Sequence, residues 1–298
     1  LHSLYSFADN PLSNSYIINY NLPASDSFIR FAIKSRVNIL GTPEFDEIIH
    51  NAPHKPCPLC SFTGANATQS LAHILNGCVK RYPFYTNRHN RVQSVIINAL
   101  KDLPHVSEIH KDSKIPISNL PEDLKLLRPD VVSWNQNRNK CIIIEISVPY
   151  ATLNWGQDTL KSVYDTKRNK YARLIEFVRN EGIEVNFYVI IVSSLGAVLE
   201  ESRSDIISLV KCKKKAKTLT KKIAANAIIG SMEIWNNFRG KTHSSPHILR
   251  SPNADNANQN DIDRVSPPIA SIISSDSDFS ETSMEDYNCD ARIEIKKK

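Results

Sequence analysis

Four metal-binding side chains within one short segment are the feature that most constrains how this chain can fold. The segment has the spacing Cys57-x2-Cys60-x12-His73-x4-Cys78. Two thiolates two residues apart form a tight knuckle, and a later histidine and cysteine can complete the tetrahedral shell that structural Zn²⁺ prefers. Because four protein ligands leave no open position, a zinc ion here would be structural and not catalytic. The spacing therefore predicts a small zinc module.

The same cysteines admit other interpretations. They could be reduced and unliganded, or they could form a disulfide, which is disfavoured because nothing else in the sequence indicates secretion. His54 or His89 could replace one ligand, although the spacing favours the four residues named above. Cys141 stands in an apolar run, so we expect it to be a small core residue.

The net charge of +6 is distributed unevenly along the 298 residues. Residues 241–298 carry 7 basic and 10 acidic side chains, whereas residues 1–240 carry 30 and 21, a net charge of +9. The acidic segment is rich in Ser, Asn, Asp and Pro and lacks a sustained apolar period, which predicts a disordered tail. A phosphorylated tail is the alternative. Affinity for a polyanion would then belong to residues 1–240.

We expect four parts: a partly ordered remnant (1–26), a helix plus zinc module (27–87), a mixed α/β domain (88–240) and the tail (241–298). No apolar run approaches the roughly 18 residues of a membrane span, and residues 1–10 do not resemble a signal peptide. The missing initial Met suggests a piece of a longer protein. No complete glycine-rich phosphate loop is present, so a nucleotide-cradling site is not expected.

Hydrophobic periodicity predicts the elements of these parts. Helices are expected over 27–40, ended by Thr42-Pro43, and over 89–102, 160–178 and 206–238. Strands are expected over 130–134 and 141–148, joined as a β-hairpin, and over 185–192. The polar segment 103–127 is expected to be a loop or an irregular hairpin. The order of these elements predicts a mixed sheet flanked by helices.

Two carboxylates are placed where they could bind a divalent cation. Asp130 follows Pro129 at the mouth of a strand, and Glu145 interrupts the isoleucine run CIIIEISV. A charged group in so apolar a strand is unfavourable unless it is paired or metal-bound. In a hairpin the two carboxylates can converge and offer the hard oxygen ligands that Mg²⁺ accepts. The alternative is that Glu145 forms a simple salt bridge on a half-exposed strand.

Pro129-Asp130 followed by Glu145 resembles the PD-(D/E)-x-K nuclease pattern, except that Ser147 stands where that pattern has lysine. Lysines occur instead on the next helix, where Lys167, Lys170 and Tyr171 share one face through their i, i+3 and i+4 spacing.

This displaced arrangement resembles the restriction-like endonuclease at the C-terminal end of site-specific non-LTR retrotransposon polyproteins, the class that inserts into ribosomal DNA. In that family a CCHC knuckle precedes Arg-His-Asn, [KR]-P-D, an acidic residue before a short strand, and K-x-x-K-Y. This chain has the same order in the four knuckle ligands, Arg88-His89-Asn90, Arg128-Pro129-Asp130, Glu145 and Lys167–Tyr171. The match covers about residues 28–240, and the tail has no counterpart.

The resemblance implies a restriction-endonuclease-like fold that nicks target DNA in the nucleus. Asp130 and Glu145 would hold Mg²⁺, and Lys167 would stabilise the transition-state charge or orient water, with Lys170 as the competing candidate. Arg88 and His89 would contact the substrate or lock the fold, and a satisfied core histidine is an equal alternative for His89. The nick would prime a reverse transcriptase domain of the parent polyprotein, which lies outside these residues. Element RNA is a further partner that the resemblance admits.

A dense basic stretch follows, and its centre is Lys213, Lys214 and Lys215. It could bind phosphate oxygens without sequence selectivity, serve as a nuclear-import signal, or be a solvated helix face. Three hypotheses remain for the whole chain: an active endonuclease domain, a catalytically silent nucleic-acid-binding remnant of one, and an unrelated zinc-stabilised interaction protein.

Overall fold

A four-stranded mixed sheet with helices on both faces forms the centre of the molecule. The structure is a computed structural model. The structure describes residues 25–61, 66–117, 119–151, 153–154 and 157–240. The predictions of a partly ordered N-terminal remnant (except residues 25 and 26) and of a disordered tail over 241–298 lie outside the described residues.

The described elements run in the following order. Before the sheet lie α1 (Asp26–Arg36), α2 (Pro43–His50), α3 (Pro58–Ser61), a π-helical turn (His73–Gly77), a 3₁₀ turn (Val79–Arg81) and α4 (Tyr82–Lys101). Then come β1 (Glu108–Lys111), a 3₁₀ turn (Leu124–Leu126), β2 (Val131–Trp134), β3 (Lys140–Ser147), and the short pair β4 (Leu153–Asn154) and β5 (Gln157–Asp158). The remaining elements are α5 (Thr159–Asn180), β6 (Glu184–Ile191), α6 (Glu200–Val210) and α7 (Lys213–Phe238).

The central sheet has the strand order β1-β2-β3-β6. β2 and β3 form the predicted antiparallel hairpin, in which Val131 lies opposite Ile144. β6 adds in parallel to β3 after the helical crossover α5, as parallel neighbours require. Mixed α/β architecture with a mixed sheet and flanking helices is therefore confirmed.

Each face of β3 belongs to a different hydrophobic core, as strand alternation predicts. Cys141 and Ile143 pack with the buried side chains of α5, so the prediction of a core role for Cys141 is confirmed. Ile142 and Ile144 pack with α4, α6 and α7 on the opposite face. Glu145 follows the alternation on to the α5 face, where it is only 3% exposed.

Three local predictions are corrected. Thr42-Pro43 begins a helix, because the Thr42 hydroxyl accepts a hydrogen bond from the Phe45 amide and Pro43 occupies the first turn. The segment 103–127, expected to be a loop or an irregular hairpin, contains strand β1, which pairs with β2. Its short polar sequence lacks the apolar pattern that would have predicted a strand. The helix expected over 206–238 is two helices, since Lys211 adopts a left-handed conformation (φ 52°) between α6 and α7.

Arg88 fastens α4 to α7 in the interior of the domain. The residue is 2% exposed, and its guanidinium donates hydrogen bonds to the Ser231 hydroxyl and the Val148 carbonyl. The helices cross closely because Gly230 has no side chain: a Cβ there would lie 2.6 Å from Arg88 Cγ. None of the described helices is both long and apolar enough to cross a membrane.

Candidate functional site

The four predicted knuckle ligands converge on one point. Cys57, Cys60, His73 and Cys78 place their ligand atoms within 4.8 Å of one another. The sulfur of Cys60 lies 3.8 Å from that of Cys78 and 3.5 Å from His73 Nε2, and the sulfurs of Cys57 and Cys78 are 3.9 Å apart. These residues form a Cys₃His cluster that could bind a metal ion such as zinc.

These separations agree with the geometry of tetrahedral zinc. With Zn–S of about 2.3 Å and Zn–N of about 2.0 Å, ligand atoms in a tetrahedron are about 3.8 Å (S to S) and 3.5 Å (S to N) apart. A disulfide would instead require two sulfurs about 2.05 Å apart. Cys57, Cys60 and Cys78 are free thiols, which agrees with the metal interpretation.

The surroundings of the cluster orient its ligands. Burial on its own raises the pKa of Cys57, but backbone amides of Cys60 and Leu59 hydrogen-bond to the sulfur and bring the pKa below its ordinary value. Burial, followed by the positive charge of Arg81, lowers the pKa of His73, which favours the neutral imidazole that binds metal. The Tyr85 hydroxyl accepts a hydrogen bond from the Cys78 amide and lies 3.0 Å from the Ile74 carbonyl.

The cluster is attached to the central sheet next to the candidate carboxylates. Asn76, in the π-helical turn that begins at His73, donates a 2.8 Å hydrogen bond to the Val148 carbonyl. Arg88 donates to the same carbonyl. The Cys₃His module and α4 therefore both hold the chain three residues beyond Glu145.

Three acidic residues form a row across the sheet. The register that pairs Val131 with Ile144 continues to Asp130 opposite Glu145, and the register between β1 and β2 continues to Asp112 beside Asp130. The Asp112 amide confirms that continuation by donating a 3.0 Å hydrogen bond to the Asp130 carbonyl. The hairpin thus brings Asp130 and Glu145 next to each other across β2 and β3.

Asp130 is held in place from both sides. Its Oδ2 accepts a 2.6 Å hydrogen bond from the Ile146 amide, which has no β2 partner because β2 begins at Val131. Its Oδ1 lies 3.2 Å from His89 Nε2 on α4. One carboxylate therefore connects strand β3 to helix α4.

Glu145 is the most buried carboxylate of this row, and one of its two oxygens lacks a hydrogen-bond partner. Lys167 of α5 donates a 2.7 Å hydrogen bond to Oε1, whereas Oε2 is buried with no hydrogen-bond partner. Burial, and then the negative charge of Asp130, raise the pKa of Glu145 despite the opposing effects of Lys167 and the Tyr171 hydroxyl. A second cation beside Oε2 would satisfy the free oxygen and favour the ionised form.

The lysines of α5 are not equivalent. Lys167 contacts Glu145 directly, and its side chain is 27% exposed. Lys170 is 44% exposed, lies 4.0 Å from Glu145 Oε1, and is 3.2 Å from the Tyr171 hydroxyl. Tyr171 is fully buried, and its hydroxyl donates to the Arg128 carbonyl. Tyr171 thereby ties α5 to the segment before Asp130.

Sequence reasoning missed two residues of this site, Gln93 and Asp112. The Gln93 amide nitrogen donates 2.8 Å hydrogen bonds to Asp112 Oδ1 and to the Asp130 carbonyl. His89, Asp112 and Asp130 place their ligand atoms within 4.8 Å of one another, a group that does not include Glu145. Asp112 adopts a left-handed conformation (φ 49°) just after β1, as aspartates at turns often do. An aspartate at the end of a strand could have been recognised from the sequence only if β1 itself had been predicted.

The predicted nucleic-acid contacts separate in the structure. Arg88 is buried between α4 and α7, where it donates a hydrogen bond to the Ser231 hydroxyl. His89 stands in the site beside Asp130. The exposed residues Lys213, Lys214 and Lys215 form the first turn of α7. Positive side chains in the first turn of a helix are repelled by the positive end of the helix dipole, and a bound anion would relieve this repulsion.

The comparisons with known proteins provide no family assignment. No protein-family model matches this chain, and none of the curated proteins matches it either.

The Cys₃His geometry predicts that the chain takes up one tightly bound ion such as Zn²⁺, and that Cys57→Ser abolishes this uptake by removing a thiolate ligand. Cys141→Ser is the matched control, since it makes the same change at another buried cysteine outside the cluster. Metal content by atomic emission should show one equivalent in the parent and the control. Equal zinc in Cys57→Ser and the parent would contradict the ligand set.

The raised pKa of Glu145 predicts a pH-dependent stability. The unfolded carboxyl ionises near its ordinary pKa and the folded one only at higher pH, so ionisation of Glu145 lowers the free energy of unfolding as pH rises between the two values. In the zinc-loaded chain without added Mg²⁺ or Mn²⁺, Glu145→Gln removes this loss. Urea unfolding should show the variant gaining stability over the parent from pH 4 to pH 8. A variant that falls further behind the parent with rising pH would contradict the burial argument.

Proposed function

We propose that this chain is a metal-dependent DNA endonuclease domain. The observation that carries the proposal is the group formed by Asp130, Glu145 and Lys167, in which one buried Glu145 oxygen lacks a partner. Two adjacent carboxylates with a lysine against them are the ligands and the charge-stabilising group that phosphodiester hydrolysis requires. The ordered motifs of the sequence support the same activity.

Asp130 and Glu145 fit Mg²⁺ because both offer hard oxygen ligands and one of these oxygens is otherwise unsatisfied. A bound Mg²⁺ would polarise the scissile phosphate and lower the pKa of the attacking water. Asp130 would keep its orientation through the Ile146 amide while its carboxylate serves as a ligand. Nearby strand backbone holds these groups in place before the substrate arrives.

Lys167 is the better candidate for stabilising the charge that develops on the phosphate. Its ammonium group is already 2.7 Å from Glu145, at the carboxylate that would hold the ion, whereas Lys170 is 4.0 Å away and more exposed. The nuclease pattern places a lysine two residues after the acidic residue, but Ser147 stands there in this chain. Lys167 on helix α5 would take the role of that lysine. Lys170 would assist through its contact with Tyr171.

We assign two further roles, a structural role to the Cys₃His cluster and a DNA-binding role to the lysines of α7. The Cys₃His cluster would hold structural Zn²⁺ and fix the helical turn that anchors β3 through Asn76. The exposed lysines of α7 would contact DNA phosphates, which fix position without reading sequence. By its resemblance to the retrotransposon enzymes, the chain would nick target DNA in the nucleus and leave a 3′-hydroxyl for a reverse transcriptase domain elsewhere in a polyprotein.

Nicking of supercoiled plasmid in Mg²⁺ tests the proposal. We expect Asp130→Asn, Glu145→Gln and Lys167→Met each to lower the rate by about 10²-fold or more, as is typical when a transition-state contact is lost. Lys170→Met should have a smaller effect. Asp123→Asn is the matched control, since Asp123 is exposed and pairs with Arg173 outside the site.

Two results would overturn the catalytic assignment. Nicking that persists equally in all three site variants would indicate a contaminating nuclease. A parent chain that binds DNA but does not nick it under any divalent cation would establish the alternative, a catalytically silent nucleic-acid-binding remnant. Zinc content and circular dichroism of each variant distinguish these outcomes from a failure to fold.

The basic first turn of α7 predicts a salt-dependent contribution to DNA binding. Replacing Lys213, Lys214 and Lys215 with Gln removes up to three phosphate contacts, so the slope of log K against log salt should fall by about 2.7. The control removes the same charge at Lys34, Lys101 and Lys125. Fluorescence anisotropy with duplex DNA at several salt concentrations measures both. An unchanged slope would identify this turn as a solvated helix face.

A further inference from the structure

We propose that His89, Asp112 and Asp130 bind a divalent cation of the Mn²⁺ type, at a position distinct from the Asp130–Glu145 pair. The inference deepens the proposed nuclease site and rests on it for the role of the ion in DNA cleavage. It assigns a ligand function to His89 and brings in Asp112, which the sequence motifs do not include.

The geometry of the three residues is that of adjacent ligands. His89 Nε2 and Asp130 Oδ1 are 3.2 Å apart, and the ligand atoms of all three residues lie within 4.8 Å. An octahedral ion with ligands at about 2.1 Å has neighbouring ligand atoms about 3.0 Å apart and opposite ones about 4.2 Å apart. The 3.2 Å between His89 Nε2 and Asp130 Oδ1 fits two neighbouring positions around one ion, and Asp112 lies close enough to supply a third ligand after a small side-chain movement. The other positions would be open to water or phosphate.

The surroundings hold the three residues together. Gln93 is fully buried and joins Asp112 Oδ1 to the Asp130 carbonyl, while the Asp112 amide donates to that same carbonyl. Asp112 keeps a left-handed backbone conformation, which turns the chain out of β1 at this point. Asp112 is 54% exposed and His89 is 25% exposed, so solvent and a ligand can reach the cluster.

An observation outside the cluster also indicates a missing cation. Glu145 is 3% exposed, its Oε2 has no partner, and the charge of Asp130 acts on it directly. Lys167 is the only cation within hydrogen-bonding distance of Glu145 among the described residues. Lys170 lies 4.0 Å from the same oxygen, Oε1, and the exposed Lys111 lies 3.8 Å from Asp112. None of these ammonium groups supplies the partner that Glu145 Oε2 lacks, so a further cation beside the row is favoured.

The donor set decides which cation is preferred. Carboxylate oxygens suit Mg²⁺ and Mn²⁺ alike, but an imidazole nitrogen suits first-row transition ions better than Mg²⁺. A site with one imidazole and two carboxylates therefore favours Mn²⁺ over Mg²⁺. The Asp130–Glu145 pair has oxygen ligands alone and lacks this preference. Asp130 belongs to both positions, with Oδ1 facing His89 and Oδ2 facing β3.

The test is Mn²⁺ binding by the zinc-loaded full chain without DNA, followed by the loss of the free-ion EPR signal. We expect His89→Gln and Asp112→Asn each to weaken Mn²⁺ binding by at least about tenfold, since even groups behind metal ligands contribute 10–100-fold. His105→Gln is the matched control, because His105 is an exposed histidine after α4. Mg²⁺ should displace Mn²⁺ more readily from His89→Gln than from the parent.

The outcomes separate this inference from the proposed function. Mn²⁺ binding that depends on His89 and Asp112 supports the inference even if the chain nicks no DNA. Binding that survives both substitutions but is lost in Glu145→Gln overturns it and leaves the nuclease proposal standing on the Asp130–Glu145 pair. An absence of Mn²⁺ binding in the parent also overturns it, and would mean that His89 and Asp130 form a simple ion pair.

Discussion

The buried carboxylate of Glu145 is the group on which the arrangement of the candidate site depends. It stands in the apolar strand β3, with its side chain buried on the face that α5 covers, where an unpaired charge is strongly unfavourable. Lys167 compensates one oxygen and leaves the other free. A buried carboxylate oxygen without a partner lowers the stability of the strand, and the proposed metal ion would satisfy it.

The other elements place partners around this strand. Antiparallel pairing with β2 brings Asp130 opposite Glu145, and parallel pairing with β6 through the crossover α5 brings Lys167 over the same face. The Cys₃His module and the buried Arg88 both bind the carbonyl of Val148 just beyond β3. The Cys₃His cluster and the strand that carries Glu145 are therefore joined through the Val148 carbonyl.

Prediction from the sequence succeeded where a pattern is local or periodic. The cysteine spacing, the alternation along β3 and the hairpin with β2 were all evident, because each depends on residues close in the chain. Prediction failed where tertiary contacts override weak local signals. β1 is polar and short and forms only through pairing with β2, so Asp112 at its end was missed with it. Gln93 was missed because a buried glutamine has no sequence signature.

By itself, the sequence determined which chemical groups are available: three thiols and an imidazole at knuckle spacing, two carboxylates fifteen residues apart and lysines on one helical face. Only the tertiary structure decided their neighbours. Arg88 is buried, and His89 and Asp112 lie beside Asp130. Lys167 lies closer to Glu145 than Lys170 does. The physical reason is that spacing and periodicity specify a face of an element, whereas strand register and helix packing determine which faces meet.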